Sequence, residues 1–336
     1  MGQQIDFGSF VVDPRVEDEY GKAVSESGAD PSNLELGRVV QVDRTLPLVC
    51  TPRGNVRSEH AVALVKGTDT LAAVGDWVLV EFPPSHENSV IRKILPRRNS
   101  LSRPDRRRKG GRQTLASNID VVFIVVPMKG VSNALEHLER QLTLSFQSGA
   151  EPVIVLSKAD LADDPGKELE AVKSIALEVP VVVESVNDGR GVGQIESLIP
   201  NGRCATLLGK SGVGKSSLVN AIVGMDLQST NEVRESDGKG RHTTIARRMV
   251  LLPNGGFLVD SPGLRSFLLD GSFIGVERAF ADIVELSSQC KFRDCRHLSE
   301  PGCAVREAVS DGSLSKRRYD SYIAIMEEVS RINDKW

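Results

Sequence analysis

The sequence predicts a multidomain protein with a small N-terminal β-barrel, a central α/β phosphate-loop domain and a C-terminal helical metal-binding domain. Three observations support this fold class. Short β-rich segments separated by turn residues fill residues 36–95. Apolar strands alternate with helices from residue 119, which is typical of a mostly parallel sheet covered on both faces. Three of the five cysteines fall within residues 290–303, in a region that otherwise predicts only helices.

The composition narrows the class of protein. Hydrophobic residues make up 40% and charged residues 26% of the 336 residues, as in soluble globular proteins of two or three domains. No apolar run approaches the roughly 18 residues that a membrane span needs, and the acidic start does not resemble a signal peptide. We therefore expect a cytoplasmic protein, a monomer without a membrane partner. An odd, clustered set of cysteines favours metal ligation over disulfides.

The N-terminal part of the chain divides into three predicted regions. Residues 1–35 are acidic and lack periodicity, which predicts a mostly disordered extension. Residues 36–98 predict a barrel of about five strands. Residues 99–116 predict a basic, flexible linker, because ten of residues 92–112 are Lys or Arg and no apolar face is visible. Its Arg106–Lys109 cluster is as compatible with an RNA contact as with a solvated linker.

Residues 117–274 predict the central domain and residues 275–336 the helical one. The central domain contains Gly209–Ser216, whose sequence GKSGVGKS fits the phosphate-loop pattern in full. Glycines let successive N–H groups point at phosphate oxygens, and the helix that follows adds its positive N-terminal end. We expect Lys215 to reach the β- and γ-phosphates and the Ser216 hydroxyl to ligate Mg²⁺. The predicted phosphate contacts are Gly209, Lys210, Ser211, Gly212, Val213, Gly214, Lys215, Ser216 and Ser217.

A candidate base-recognition motif precedes this loop. Ser157, Lys158 and Asp160 follow an apolar strand and match Asn-Lys-x-Asp except at the first position. An aspartate there accepts two hydrogen bonds from guanine, and adenine offers no such donor pair. Ser157 in place of Asn loses a bracing amide, which predicts weaker binding. Glu184-Ser185-Val186 stands where GTPases carry Ser-Ala-Lys, so Ser185 is a further candidate, although an ordinary strand end explains either segment taken alone.

The remaining motifs concern Mg²⁺ and the switch segments. Asp260 and Gly263 fit Asp-x-x-Gly, with Asp260 holding Mg²⁺ through water and Gly263 meeting the γ-phosphate. Thr243 and Thr244 lie in a Gly-rich polar segment that is typical of a switch, and Thr244 is the candidate Mg²⁺ ligand beside Ser216 and Asp260. The base motif precedes the phosphate loop, whereas ordinary GTPases have the reverse order. The sequence therefore predicts a circularly permuted GTPase domain, with the C-terminal domain attached directly behind the second switch.

The cysteine cluster predicts one structural zinc site. Its three thiolates and one imidazole suit a closed tetrahedral Zn²⁺ site with no position left for water. Buried free cysteines are the alternative. Cys50 and Cys204 lie in predicted strands and are expected to be small core residues. The four candidate zinc ligands are Cys290, Cys295, His297 and Cys303.

Taken together, the permuted motif order, the barrel before it and the Cys₃His cluster after it resemble the ribosome small subunit-dependent GTPase (RsgA) family over residues 36–330. The resemblance implies an OB-fold barrel, a permuted GTPase domain and a zinc-binding domain. It also implies late maturation of the small ribosomal subunit, rRNA contacts by the barrel and the zinc domain, and GTP hydrolysis to GDP and phosphate that the subunit stimulates. Two features depart from the family pattern: Ser157, and an acidic N-terminus where some members carry a basic tail.

The residue that orients the attacking water is not the usual one. Many GTPases use a Gln directly after Asp-x-x-Gly, but Leu264 stands there and cannot polarise water. The resemblance suggests His242, in the switch, as the catalytic residue beside Lys215. Three alternatives stay open: a switch for a protein partner, a binding module that barely hydrolyses GTP, and an ATPase, against which Asp160 argues.

Overall fold

The structure is a computed structural model that describes residues 5–43, 46–67, 71–84, 86–104, 111–224, 247–260, 269 and 271–333. The N-terminal region is ordered within these ranges. Helix α1 (Pro14–Ser27) starts at Asp13, whose side chain accepts a hydrogen bond from the Arg15 N–H, and ends at Gly28 in a left-handed conformation. It packs against the barrel. The prediction of a disordered extension over residues 1–35 is therefore wrong for residues 5–35.

The physical reason is local capping combined with burial. A capping aspartate followed by proline and a terminating glycine specify the helix despite the acidic composition. Ile5, Phe10 and Ala23 are buried, and Phe10 stacks on Phe257 of the central domain with ring centroids 4.8 Å apart. Burial of these apolar side chains supplies the driving force that the composition did not reveal.

The barrel has the five strands that the sequence predicted. Strand β1 pairs with both β2 and β4, which closes the sheet in the order β1-β2-β3-β5-β4. Its interior includes Val39, Val49, Val78, Val80 and Ile91. A short helix, α2 (Val62–Gly67), connects β3 to β4. The strands are β1 (Leu34–Val42), β2 (Leu48–Thr51), β3 (Gly54–His60), β4 (Trp77–Glu81) and β5 (Ser89–Ile94).

The basic region after the barrel contains a hairpin. Strands β6 (Ser100–Pro104) and β7 (Arg112–Ser117) form a separate two-stranded antiparallel sheet. Leu101 and Leu115 are buried, so the predicted flexible linker over residues 99–116 is wrong for these strands. The two strands carry few apolar residues among many polar and basic ones, so their composition indicated a linker. The Arg106–Lys109 cluster lies outside the described residues.

The central domain is built on six strands in the order β10-β9-β8-β11-β13-β12, all parallel except β12. Odd and even residues of β8 enter two apolar clusters on opposite faces. Helices α3 and α4 cover one face, and α5 and α6 cover the other. The elements are β8 (Val121–Pro127), α3 (Leu135–Gln147), β9 (Glu151–Ser157), α4 (Pro165–Ala176), β10 (Val181–Val183), α5 (Val192–Ser197), β11 (Cys204–Leu208), α6 (Lys215–Val223), β12 (Arg247–Leu251) and β13 (Phe257–Asp260).

The barrel and the central sheet are joined through one strand pair. Strand β1 pairs antiparallel with β12, with Gln41 opposite Arg248 and Val42 opposite Arg247. The hydrogen-bonded sheet therefore runs from the barrel into the central domain without a break.

The C-terminal region is helical and docks on α3. Glu139 of α3 is fully buried and accepts hydrogen bonds from Arg317 and Arg318 at 2.9–3.0 Å. A Cβ atom at Gly275 would lie 2.4 Å from the Thr143 carbonyl oxygen, so the close approach requires glycine. Within the described residues, no helix is long and apolar enough to cross a membrane. The helices are α7 (Ile274–Ala279), α8 (Ala281–Ser287), α9 (Ala304–Asp311) and α10 (Lys316–Asn333).

Candidate nucleotide-binding site and metal centre

The phosphate loop connects β11 to α6 through three glycines in backbone conformations that favour glycine. Gly209 has φ of 149°, and a Cβ atom there would lie 2.4 Å from the Val125 carbonyl oxygen. Gly212 and Gly214 also have positive φ, at 79° and 101°. These angles turn the chain tightly enough to present the N–H groups at the start of α6 to one point in space.

The side chain of Lys215 lies across this loop. Its ammonium group donates hydrogen bonds to the carbonyl oxygens of Gly209 (2.9 Å) and Lys210 (2.6 Å). Ser216 and Ser217 occupy the first turn of α6, which contains no acidic residue. The loop is therefore cationic and rich in N–H donors, which is the chemistry that binds an anion such as a phosphate group.

The base loop (Ser157–Asp160) contacts the phosphate loop directly. Lys158 extends its ammonium group to the Gly212 carbonyl oxygen at 2.6 Å. The buried hydroxyl of Ser157 lies 2.7 Å from the Val213 carbonyl oxygen and 3.1 Å from that of Val126. A hydroxyl carries one proton, so it donates to one of these carbonyl groups at a time. Both predicted motifs thus meet at the carboxyl edge of the sheet.

The carboxylate of Asp160 is exposed and held by two donors. The Ser185 hydroxyl donates to Oδ1 at 2.9 Å, and the Asn187 amide donates to Oδ2 at 2.8 Å. These bonds, the Asn187 bond first, lower the pKa of Asp160 below its ordinary value. The segment that contacts Asp160 runs from Ser185 to Asn187. It begins one residue later than Glu184-Ser185-Val186, the segment that the sequence places where GTPases carry Ser-Ala-Lys. Asn187 was missed, although its place two residues after Ser185 could have indicated it.

Glu184 is placed between the base loop and the segment that carries Ser185 and Asn187. It is buried, and burial raises the pKa of its carboxyl group against the opposing effect of the Val186 and Lys158 backbone N–H groups. Its own carbonyl oxygen accepts a hydrogen bond from the Ala159 N–H at 3.0 Å. Glu184 therefore connects the base loop to the segment that carries Ser185 and Asn187.

Asp260 ends β13, next to the strand that leads into the phosphate loop. Burial raises the pKa of Asp260, and the nearby charges of Arg248 and Lys215 oppose the shift. The carboxyl group thus belongs to the phosphate end of the site. The candidate residues His242, Thr243, Thr244 and Gly263 lie outside the described residues, as does Leu264.

The four predicted metal ligands converge in the C-terminal region. The donor atoms of Cys290, Cys295, His297 and Cys303 all lie within 4.8 Å of one another. The Cys290 and Cys303 sulfur atoms are 3.9 Å apart, and His297 Nδ1 lies 3.6 Å and 3.4 Å from them. Two thiolates on a tetrahedral Zn²⁺ with Zn–S of about 2.3 Å would lie about 3.8 Å apart. The donor set and its spacing therefore fit a four-coordinate metal ion.

These features define a class of protein. The phosphate loop after β11, Asp260 at the end of β13 and Asp160 after β9 lie at one edge of the sheet. The base loop comes before the phosphate loop in the chain. This arrangement is a circularly permuted GTPase domain, preceded by a five-stranded barrel and followed by a Cys₃His cluster.

Comparisons with known proteins identify the family. The profile of the RsgA GTPase family matches residues 94–270. A protein of Methanosarcina acetivorans named small ribosomal subunit biogenesis GTPase RsgA is 41% identical over 294 residues, which cover 88% of this chain and 79% of that protein. A protein of the same name from Streptomyces avermitilis is 40% identical over 306 residues, with 90% and 82% covered. The chain therefore belongs to the RsgA GTPase family.

Solved structures agree with this fold. YjeQ from Thermotoga maritima has a TM-score of 0.66 at 27% identity, covering 88% of this chain and 98% of that one. YloQ, described as a circularly permuted GTPase, has a TM-score of 0.63 at 23% identity, with 92% and 99% covered. The likeness to YloQ supports the architecture alone.

Proposed function

We propose that this chain is a GTP hydrolase that acts in the biogenesis of the small ribosomal subunit. One observation carries the nucleotide assignment. Lys158 and Ser157 of the base loop bond directly to the phosphate loop, and Asp160 presents an exposed carboxylate beside them. A guanine base held by Asp160 would therefore have its phosphates within reach of Gly209–Ser216. The names of the relatives support the ribosomal role.

Each part of the site has a role in this proposal. The N–H groups of the phosphate loop and the Lys215 ammonium group bind the phosphates. Ser216, Thr244 and Asp260 hold Mg²⁺, which neutralises charge on the phosphates when bound. Asp160 accepts two hydrogen bonds from guanine, and Lys158 packs along the base plane. Thr243 and Gly263 belong to the switch segments that sense the γ-phosphate.

Hydrolysis requires a residue that positions water in line with the γ-phosphate. Leu264 cannot polarise water, so His242 takes this role in our proposal. His242→Ala is expected to lose most of the hydrolysis that the subunit stimulates while GDP binding persists. His86→Ala is the control for a histidine outside the switch, since His86 is exposed in the loop between β4 and β5. Full stimulated hydrolysis by the His242 variant would rule the assignment out.

The Cys₃His cluster holds one structural Zn²⁺ in this proposal. No fifth protein donor is needed, and the ion supplies folding energy to a small region with a limited core. Exposed Lys291, Arg293 and Arg296 surround the cluster, together with Phe292, which is 41% exposed. Cationic groups beside an exposed aromatic ring suit rRNA, which offers phosphates and unstacked bases.

The partner is thus the small ribosomal subunit with its rRNA, and the setting is the cytoplasm, where the chain works as a monomer. The decisive experiment measures GTP turnover with and without purified small subunits. Stimulation by small but not by large subunits is expected, and it should fall steeply as salt rises. Equal turnover under all three conditions would reject the ribosomal role.

An internal control tests the nucleotide assignment in the same assay. Asp160→Asn replaces one acceptor by a donor, so the variant should lose GTP and accept XTP, whose base carries a carbonyl oxygen in place of the exocyclic amine. Retention of GTP preference by this variant would contradict the role of Asp160.

A further inference from the structure

The Asp160 carboxylate accepts hydrogen bonds from two side chains, one of which is buried and the other exposed. Ser185 is fully buried, and its backbone N–H donates to the Arg190 carbonyl oxygen at 3.0 Å. Its hydroxyl holds Oδ1 from below at 2.9 Å. Asn187 is exposed, and its amide holds Oδ2 from the solvent side at 2.8 Å. Each carboxylate oxygen thus accepts a hydrogen bond from one side chain, and the backbone N–H of Asp160 itself interacts with the same carboxylate.

This arrangement fixes the rotation of the carboxylate. With Ser185 alone, the group could turn about its Cβ–Cγ bond and keep one hydrogen bond. With both donors in place, any turn breaks at least one bond. A carboxylate has about four acceptor positions, so these bonds leave capacity for a ligand. A carboxylate held in one orientation suits a base edge with two adjacent N–H donors.

The loop that carries Asn187 is itself held in place. Arg190 pairs with Asp188 at 2.9 Å through its guanidinium group, and its backbone N–H donates to the Asp188 carboxylate at 2.9 Å. Gly191 has φ of 75°, and a Cβ atom there would lie 2.3 Å from the Val183 carbonyl oxygen. The position of Asn187 is therefore set by its own loop, without a contribution from the nucleotide.

We propose that Asn187 is a positioning residue that sets base specificity by locking the Asp160 carboxylate in the orientation that reads two adjacent donors. The inference rests on the proposed function, since it concerns the same guanine site. Its consequence is a preference for guanine over hypoxanthine, which keeps the ring N–H and the carbonyl group but lacks the exocyclic amine. A site built around two donors disfavours an analogue that lacks one of them.

The test compares affinities for GDP and IDP in the full-length protein, using Asn187→Ala and Asn187→Asp. Removal of the amide is expected to weaken GDP binding about fivefold and IDP binding less, so the ratio of the two affinities falls. Asn187→Asp keeps the size of the side chain but faces Asp160 with an acceptor, so its ratio should fall further. Asn254→Ala is the matched control, because Asn254 is also exposed and braces a loop, through the Glu196 and Ile199 carbonyl oxygens.

The outcomes separate this inference from the proposed function. A wild-type protein that binds ADP as well as GDP would reject the guanine site itself. A wild-type preference for GDP combined with an unchanged GDP-to-IDP ratio in both Asn187 variants would reject only the role of Asn187. An equal loss of GDP and IDP affinity would assign Asn187 a merely structural role and overturn the inference as well.

Discussion

The hydroxyl oxygen of Ser157 lies 2.7 Å from the carbonyl oxygen of Val213, which makes a side chain of the base loop a direct support of the phosphate loop. An asparagine amide at this position would offer two N–H donors, whereas serine offers one. Its second neighbour, the Val126 carbonyl oxygen at 3.1 Å, therefore competes for the same proton. Ser157 therefore braces the phosphate loop through a single donor.

Loss of this hydroxyl should affect both stability and binding. Ser157→Ala is expected to lower the free energy of unfolding by about 1 kcal/mol, because a buried hydrogen bond is lost, and to weaken GDP binding about fivefold. Urea denaturation and GDP titration measure the two effects. Ser174→Ala is the control, since its exposed hydroxyl bonds only to Ala171 within α4. A Ser157 variant that matches this control would show that the brace is unimportant.

The stability of the protein should depend on pH through Asp260. Burial raises the folded-state pKa of this carboxyl group above its ordinary value of 3.8, so the folded state binds a proton at pH values where the unfolded state does not. Lowering the pH from 7 through the folded pKa should therefore stabilise the wild type relative to Asp260→Asn. The measurement is the difference in unfolding free energy between the two proteins at several pH values. A difference that stays constant, or that changes in the opposite direction, contradicts the shift.

Metal binding should depend on Cys303. Cys303→Ser is expected to reduce bound zinc from about one ion per chain to a small fraction of that, because a thiolate ligand is lost. The hydroxyl group of Tyr319 in α10 donates to the His297 carbonyl oxygen at 2.6 Å, so the thermal stability of the C-terminal helices should also fall. Metal analysis and thermal melting test both effects. Cys50→Ala should retain full zinc content, and equal zinc in the two variants would disprove the site.

The ion pairs of Glu139 and of Glu328, which join α3 to α10, should differ in energy. Glu139 has no exposed side-chain surface and holds Arg317 and Arg318, whereas Glu328, 37% exposed, pairs with Arg140. Glu139→Ala should destabilise the protein by about 3 kcal/mol, because it removes a partner from the buried guanidinium of Arg318. Glu328→Ala should cost about 1 kcal/mol or less. Urea denaturation measures the unfolding free energy of both variants. An equal loss of stability in the two would contradict the role of burial.

The parts of the structure that the sequence predicted correctly depend on local patterns. The five barrel strands and the alternation of strands and helices follow from short apolar segments between turn residues, and the Cys₃His cluster from ligand spacing. Helix α1 was missed because composition was given more weight than its capping residues Asp13 and Gly28. The contact between Glu139 and Arg318 joins residues 179 positions apart, and no local pattern encodes it. Asn187 acts through a hydrogen bond that only the folded loop creates.

The strand order has a consequence for synthesis of the chain. Strands β8, β9 and β10 are neighbours in the sheet and consecutive in the chain, so they emerge together and can pair at once. The inner edge of β8 must then wait for β11, and the end of β1 at Gln41 and Val42 waits still longer for β12. During elongation this protein therefore carries an unpaired edge on β8 and an unpaired end on β1, where a nascent chain is exposed to wrong pairing.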